Sequence, residues 1–315
     1  MWQQDRSSRE RSRVSAILWA ILLPFALGAC ASASGGGNDI PVLPSINASP
    51  TDDQHLGKFV WYDLVTKDVE GAKRFYGELF GWRFQRVEGG DAVTIARVNG
   101  RGIASIVALD ETRQTLEGAV WFSSVSVADV DEATRRAQRG GTVNVEPTDL
   151  PDRGRYSVVK GPDGAPIVLL RASGGDPEDR DDFEPGEFLW TELWTHDARA
   201  AVAYYETVLG YVGEFTGVDP RPYFLMSRDG APRAGIGELP EGNAEAAWLP
   251  YIAVTDAQAI ADRVEGLGGE VLIAPDVMIR GSAAVMADPS GAIFAVQEWP
   301  VPDESGDGDR KDGSR

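Results

Sequence analysis

"GKFVWYDLVTKD", residues 57–68, returns as "GEFLWTELWTHD" at residues 186–197, 129 positions further along the chain. The spacing holds without a gap through the next segment, from Tyr76 to Tyr205. It is 127 near the end of each copy, from Pro162 to Pro289. A repeat of this length predicts two copies of one structural module.

Within each copy, strand patterns alternate with helix patterns. "FVWYDLVT" is rich in aromatic and β-branched residues and predicts a strand. Asp68 then precedes "VEGAKRFYGELFG", which has apolar residues at helical spacing and a glycine stop at Gly81. Further strand patterns, a second helix after Asp129 and a final strand pair around "GPDGAP" complete the copy. Each module is therefore predicted to consist of two βαβββ-like units.

The N-terminal residues are typical of an export signal. Arginines precede the apolar run "VSAILWAILLPFALGA", which ends at Cys30, the single cysteine. The run of about 16 residues is shorter than the roughly 20 that a spanning helix needs. "LGAC" resembles a bacterial lipobox, which implies cleavage before Cys30, its acylation, and an extracytoplasmic, membrane-anchored lipoprotein. A signal peptide without lipidation, followed by an incidental buried cysteine, is the alternative.

Composition and the repeat divide the chain into six segments. We expect a lipoprotein signal peptide at 1–29, a lipidated cysteine and flexible Gly/Ser/Pro-rich tether at 30–56, module 1 at 57–172, an acidic linker at 173–185, module 2 at 186–300, and a disordered tail at 301–315. The sequence leaves open whether the modules pair within one chain or between chains, and the oligomeric state with it.

"FYGELFGW" and "YYETVLGY", each after a first strand and an aspartate, together with the turns "GPDGAP" and "DPSGAI", resemble the vicinal oxygen chelate superfamily. This superfamily includes glyoxalase I, bleomycin-resistance proteins and extradiol dioxygenases. The resemblance implies an α+β fold with two tandem glyoxalase-like modules. In each, paired βαβββ units form an open curled sheet, and a ligand binds inside the resulting cup.

The resemblance also locates the positions where enzymes of the superfamily hold a divalent metal. The ligand of the first strand falls on Trp61 and Trp190, and the glutamate of the last strand falls on Val168 and Ala295. Indole and alkyl side chains do not ligate metals, because protein metal sites use imidazole, thiolate or oxygen donors. We therefore expect no metal or other cofactor, and the sequence leaves catalysis an open question.

Strand alternation places further side chains on the cup face. If Trp61 faces the cup, Asp63 does too, and Glu192 and Trp194 lie on the corresponding face beside Trp190. An indole next to a carboxylate suits a flat or cationic organic ligand. Weaker candidates for the same site are Tyr156 and Tyr223. The alternative is that the tryptophans fill the cups as core and that the two acids pair with arginine or backbone donors.

The charge balance and the motifs present limit the function. A formal net charge of -19 and the lack of a basic stripe in the mature part argue against a nucleic-acid partner. The sequence has no nucleophile-elbow, P-loop or dinucleotide motif. Our first hypothesis is a membrane-anchored protein that binds a small organic molecule without the usual metal. The alternatives are a glyoxalase- or dioxygenase-like enzyme with a non-standard site that uses Asp63 or Glu192, and a structural or interaction lipoprotein of the envelope.

Overall fold

A computed structural model describes residues 43–47, 49–87, 92–109, 118–216, 222–239, 245–276 and 282–300. The expected signal peptide at 1–29, Cys30 and the expected tail at 301–315 lie outside these residues. No helix within the described ranges combines the length and the apolar character needed to cross a membrane.

Module 1 begins with a strand and a long helix and repeats that order once. Its elements are β1 (Phe59–Thr66), α1 (Val69–Phe80), β2 (Arg83–Arg86), β3 (Val93–Val98), β4 (Arg101–Ala108), β5 (Val120–Ser126), α2 (Val130–Ala137), β6 (Thr142–Leu150), β7 (Gly154–Lys160) and β8 (Pro166–Ala172).

Module 2 follows the same order. Its elements are β9 (Phe188–Thr195), α3 (Ala198–Leu209), β10 (Val212–Phe215), β11 (Tyr223–Arg228), β12 (Ala231–Glu238), β13 (Ala247–Val254), α4 (Ala257–Val264), β14 (Glu270–Asp276), β15 (Ala283–Ala287) and β16 (Ile293–Glu298). A 3-10 turn, Glu265–Leu267, extends α4.

The strands form two eight-stranded sheets with the same topology. Sheet 1 runs β2-β3-β4-β1-β5-β8-β7-β6, and sheet 2 runs β10-β11-β12-β9-β13-β16-β15-β14. In both, the first strands of the two βαβββ units pair antiparallel at the centre, β1 with β5 and β9 with β13. The predicted α+β fold of two tandem modules, each of paired βαβββ units, is confirmed.

The helix boundaries follow from local chemistry that the sequence shows. The Asp68 carboxylate accepts the Gly71 N–H at 2.7 Å, and Asp197 accepts the Ala200 N–H at 2.9 Å. These bonds satisfy N–H groups that a helix leaves unpaired in its first turn. Gly81 and Gly210 end the two helices at φ 72° and 67°, a left-handed conformation that glycine adopts without a steric penalty.

Three strands escaped the sequence prediction: β2, β10 and β12. Strand β2 is "RFQR" and β10 is "VGEF", two largely exposed four-residue strands at sheet edges, which leave no alternation pattern to detect. Strand β12, "APRAGIGE", contains proline and two glycines, residues that are depleted in strands.

The back faces of the two sheets, with the helices, share one apolar core that spans both modules. The Tyr62 hydroxyl lies 2.7 Å from Thr191 Oγ1, its own counterpart in the repeat, and the Tyr62 ring stacks on Phe188 with ring centroids 4.0 Å apart. Trp121 contacts Phe188, and Trp248 contacts Phe59, across the same boundary. The modules therefore pair within one chain.

Each module also places the turn before its last strand against the first helix of the other module. Asp288 accepts the Ser290 and Ala292 N–H groups and the Tyr76 hydroxyl of α1. In module 1 the corresponding acid is Asp163, which lies two positions later in the turn "GPDGAP" than Asp288 lies in "DPSGAI". Burial raises the pKa of Asp163 to about 6, and its charge helps to raise the pKa of Tyr205 in α3. Both turns therefore bring a buried carboxyl group to a helix tyrosine, from different sequence positions.

The acidic linker is ordered and contacts both modules. Asp179 lies 3.2 Å from His55 Nδ1, 3.1 Å from Lys58 Nζ and 2.7 Å from Arg233 Nη1. Because His55 and Lys58 precede or begin module 1 and Arg233 lies on β12, one linker carboxylate connects both halves of the chain. His196, the other histidine, is exposed beside the helix cap Asp197.

Candidate functional site

We call the face of sheet 1 that carries Trp61, Asp63 and Val65 cup 1. The corresponding face of sheet 2, which carries Trp190, Glu192 and Trp194, is cup 2. On β1, Trp61 and Val65 belong to the cup cluster, whereas Tyr62 and Leu64 belong to the inter-module core. The expected alternation is therefore present, and it determines which side chains a ligand in either cup could contact.

The four positions expected for metal ligands lie in two rows across the sheet centres. Trp61 pairs with Ser124, which pairs with Val168. Trp190 pairs with Tyr251, which pairs with Ala295. Burial raises the pKa of Tyr251 well above its ordinary value, so its phenol stays protonated. These donor sets do not fit the divalent metal that the superfamily resemblance implies.

The remainder of the described chain offers no substitute for those ligands. Within the ranges that the structure covers, no group of three or more His, Cys, Asp or Glu side chains is arranged to hold a metal ion.

Glu192 lies at the centre of cup 2, on β9, and is 4% exposed. Its Oε1 accepts the Tyr223 hydroxyl at 2.7 Å, and its Oε2 accepts the Tyr251 hydroxyl at 2.7 Å and the Trp194 Nε1–H at 3.2 Å. A carboxylate has about four acceptor positions, so these three donors fix its orientation. The structure thus joins three sequence candidates, Glu192, Trp194 and Tyr223, through direct hydrogen bonds.

Two glycines of β12 make room for this arrangement. Gly235 pairs with Glu192 in the sheet, and Gly237 pairs with Tyr223. A Cβ on Gly235 would lie 1.9 Å from the Tyr223 hydroxyl and 3.0 Å from Glu192 Cγ. The tyrosine can therefore cross β12 to reach the carboxylate only because this position lacks a side chain.

Aromatic and aliphatic side chains form the wall around Glu192. Trp190, Trp194 and Tyr223 are only partly buried. The Trp190 Nε1–H is buried, and no acceptor for it exists among the described residues. The apolar cluster of cup 2 within the described ranges consists of module 2 strand residues. Cup 2 therefore combines partly exposed indole and phenol side chains with an oriented carboxylate.

Cup 1 has a different chemistry because it contains a buried arginine. Arg153, from the loop before β7, is 2% exposed and lies 3.8 Å from the Asp63 carboxylate. Its guanidinium stands over the Trp61 ring, 5.0 Å from the centroid, and donates to Ser105 Oγ at 3.2 Å. Burial raises the pKa of Asp63, and the charge of Arg153 opposes that rise. Asp63 thus pairs with an arginine, as the core-filling alternative expected.

Two polar atoms of cup 1 are buried without a hydrogen-bond partner among the described residues. They are Asp63 Oδ1 and the Tyr156 hydroxyl. Burial raises the pKa of Tyr156 to about 12, so this phenol is neutral. Unpaired buried polar atoms are rare in folded proteins and cost roughly 1–3 kcal/mol each. Tyr156 therefore lies in cup 1, as predicted, but it does not bond to the acid there.

A segment of the expected tether covers cup 1. We call residues 43–47 the strap: Ile46 is buried in the cup 1 cluster, and Leu43 packs against it. Further along, the Thr51 N–H donates to Gly174 O, and the Asp176 N–H donates to Asp53 O. The expectation of a flexible tether across 30–56 therefore fails for its described part. Apolar Leu43 and Ile46 find a binding surface that composition alone does not reveal.

Sequence reasoning missed three residues of this arrangement: Tyr251, Arg153 and Gly235. Strand alternation could have identified Tyr251, because it lies two residues after Leu249 on the same face of β13. In the sheet it lies opposite Trp190. Arg153 lies in a loop, and its position depends on how that loop folds over the sheet. Gly235 is recognisable only from the sheet register.

Comparison with known proteins agrees with this architecture. The model of the Glyoxalase/Bleomycin resistance protein/Dioxygenase superfamily matches residues 58–169, and that of the glyoxalase-like domain matches residues 190–297. A Mycobacterium tuberculosis protein, CFP32, provisionally named a glyoxylase, is 33% identical over 253 residues, covering 78% of this chain and 95% of that protein. The anthracycline biosynthesis protein DnrV of Streptomyces peucetius is 30% identical over 257 residues, covering 77% and 93%.

Solved structures share the fold at low sequence identity. The Mn(II)-bound glyoxalase from Novosphingobium aromaticivorans is 15% identical with a TM-score of 0.54, covering 77% of this chain and 82% of that one. The 2,3-dioxygenase LapB from a Pseudomonas species is 15% identical with a TM-score of 0.51, covering 78% and 93%. The tandem matches and the relatives agree over most of the chain, which therefore belongs to the glyoxalase, bleomycin resistance protein and dioxygenase superfamily.

Proposed function

We propose that cup 2 binds a small, flat organic cation and that no metal takes part in this binding. The observation that carries the proposal is the Glu192 carboxylate, oriented by two phenols and an indole beside partly exposed aromatic side chains. A cation over an aromatic face gains about 0.5–2 kcal/mol per contact, and more where the site is dry.

The relatives support an aromatic ligand. Two of them, DauV and DnrV, are named as anthracycline biosynthesis proteins. An anthracycline contains a planar, fused aromatic ring system, the kind of surface that stacks on indole and phenol faces. From these relatives we infer only that the ligand of this chain contains a flat aromatic ring system. We expect its positive charge to lie in the part of the ligand nearest Glu192.

A matched pair of probes tests the proposal. One is a naphthylmethyl trimethylammonium ion, and the other is its neutral isostere with carbon in place of nitrogen. Titrations followed by tryptophan fluorescence should show the cation binding about 10- to 100-fold more tightly, because attraction to the Glu192 carboxylate and to the aromatic faces acts on the cation alone. Equal affinities for the two probes would contradict a site built around a negative charge.

The two alternative functions make different predictions. If Glu192 instead acts as a catalytic base, as in an enzyme of the superfamily, the protein must turn over a substrate. The neighbouring phenols of Tyr223 and Tyr251 could then hold a substrate oxygen. A purely structural role would require the chain itself to fill each cup, as the strap fills part of the apolar face of cup 1. It does not account for the partly exposed aromatic side chains of cup 2, and we therefore favour ligand binding there.

We further propose that the protein is exported and attached to a membrane through Cys30. The proposal is supported by the basic start, the apolar run and "LGAC". Two or more acyl chains give stable attachment, because each buried methylene contributes about 0.8 kcal/mol. Cys30→Ser should move the protein from the membrane fraction to the soluble extracytoplasmic fraction. Ser34→Ala, four residues further on, is the control, and membrane retention of Cys30→Ser would contradict lipidation.

A further inference from the structure

The strap contacts cup 1 in the way that a bound peptide contacts its receptor. Ile46 is 7% exposed and lies in the cluster that includes Trp61 and Tyr156. The backbone carbonyl of Pro44 accepts the Arg153 Nε–H at 2.8 Å. An apolar side chain in a pocket, together with a main-chain carbonyl on a fixed donor, is how extended peptides are commonly recognised.

The module also holds the strap at its C-terminal end. Asn47 Nδ2 donates to Gly174 O at 3.2 Å and to Gly175 O at 3.0 Å. A Cβ on Gly174 would lie 2.3 Å from Ser45 Oγ, and a Cβ on Gly175 would lie 2.3 Å from Thr51 Oγ1. This glycine pair therefore leaves the space that Ser45 and Thr51 occupy.

The strap does not satisfy the polar groups beneath it. Asp63 Oδ1 and the Tyr156 hydroxyl stay without a hydrogen-bond partner among the described residues, and Ser45 Oγ of the strap is also unpaired. A segment that served only as permanent core would be expected to pair such atoms or to replace them by apolar ones. The strap therefore resembles a ligand bound over polar groups more than a segment of a fully packed core.

We propose that cup 1 is a peptide-binding site and that residues 43–47 are its intramolecular, displaceable occupant. The ligand class is an extended apolar segment that places an Ile-like side chain in the cup and a carbonyl on Arg153. A covalently attached occupant has an effective concentration in the millimolar range, so an external peptide at micromolar concentration does not displace the intact strap. Weakening the strap opens cup 1 to external ligands.

The test uses the full mature chain with Ile46→Asp, which puts a carboxylate in the apolar pocket, and Ile46→Val as the matched control. The probes are a synthetic peptide of residues 43–53 and the anionic dye 1-anilinonaphthalene-8-sulfonate, which suits the positive charge of Arg153. Ile46→Asp should gain one dye site per chain relative to wild type. The peptide should bind that variant at least about 10-fold more tightly than wild type and displace the dye. Ile46→Val should match wild type.

Two further measurements keep the result interpretable. Binding of the naphthylmethyl cation to cup 2 and the near-ultraviolet circular dichroism report whether the variant is folded. If Ile46→Asp fails to fold, Asn47→Ala, which removes only the bonds to Gly174 O and Gly175 O, should give a smaller gain in peptide affinity. The proposal is overturned if a folded strap variant gains no dye site, or if the peptide carrying aspartate at the Ile46 position displaces the dye equally well.

Discussion

Replacing Arg153 by methionine is expected to lower the free energy of unfolding by about 3–5 kcal/mol, because removal of one partner leaves a buried charge uncompensated. The Arg153 side chain is 3% exposed, and its charge opposes the rise in the pKa of Asp63 that burial causes. The change also removes the donors to Pro44 O and Ser105 Oγ. Urea denaturation followed by circular dichroism measures the loss.

Two controls separate the buried pair from a general effect of losing an arginine. Arg155→Met removes a neighbouring arginine whose partners, Asp131 and Asp149, are largely exposed, so only a small loss is expected. The double variant Asp63→Asn with Arg153→Met should be more stable than Arg153→Met alone. A double variant no more stable than the single one would show that the charge of Asp63 is not the cause.

The decrease in the free energy of unfolding caused by Arg153→Met should depend on pH. Burial raises the pKa of Asp63 in the folded protein, so its ionised form destabilises the fold as pH rises above the ordinary aspartate range. Without the arginine this effect grows, since the charge that opposes the rise is gone. The difference between wild type and variant should therefore be largest near neutral pH and should shrink as pH falls toward the ordinary aspartate range.

Replacing Glu192 by glutamine is expected to weaken binding of the naphthylmethyl cation to cup 2 by about 10- to 100-fold, because the oriented negative charge is lost while the shape is kept. The amide oxygen of glutamine can still accept a hydrogen bond, and the phenols of Tyr223 and Tyr251 can accept from its amide group. Binding of the neutral isostere should therefore change little. Calorimetric titration at constant ionic strength measures both.

The repeat supplies a matched control for this variant. Asp63→Asn makes the same kind of change at the corresponding position of cup 1, where the strap covers the site. Glu70→Gln removes an exposed charge from α1 of module 1. Neither should alter affinity for the cation by more than about twofold, since charges separated by more than a Debye length are largely screened. If Asp63→Asn lost as much affinity for the cation as Glu192→Gln, the ligand would bind in cup 1, which would contradict the proposal.

The fold was largely predictable because local chemistry and the repeat agree. Asp68 and Gly81 delimit α1, and the same pair recurs as Asp197 and Gly210 around α3. Alternation on β1 and β9 correctly separated cup residues from the inter-module core. The edge strands β2 and β10 were missed because four residues with mostly exposed side chains carry no periodic signal.

The site was only partly predictable because its decisive contacts join distant parts of the chain. The sequence placed Glu192 beside Trp190 and Trp194, but the register that brings Tyr223 and Tyr251 to the same carboxylate is a property of the assembled sheet. The strap is the largest difference from expectation. Its composition is typical of a linker, and its order depends on Arg153 and the pair Gly174 and Gly175, which lie more than 100 residues away.

We propose that Glu192 makes cup 2 selective for a cation, and the ratio of two binding affinities tests this most directly. The affinity of the naphthylmethyl cation is divided by that of its neutral isostere, in wild type and in Glu192→Gln. Both ligands contact the same aromatic wall, so the ratio isolates the contribution of charge. We expect a ratio of about 10–100 in wild type that falls close to one in the variant. An equal ratio in the two proteins would contradict it.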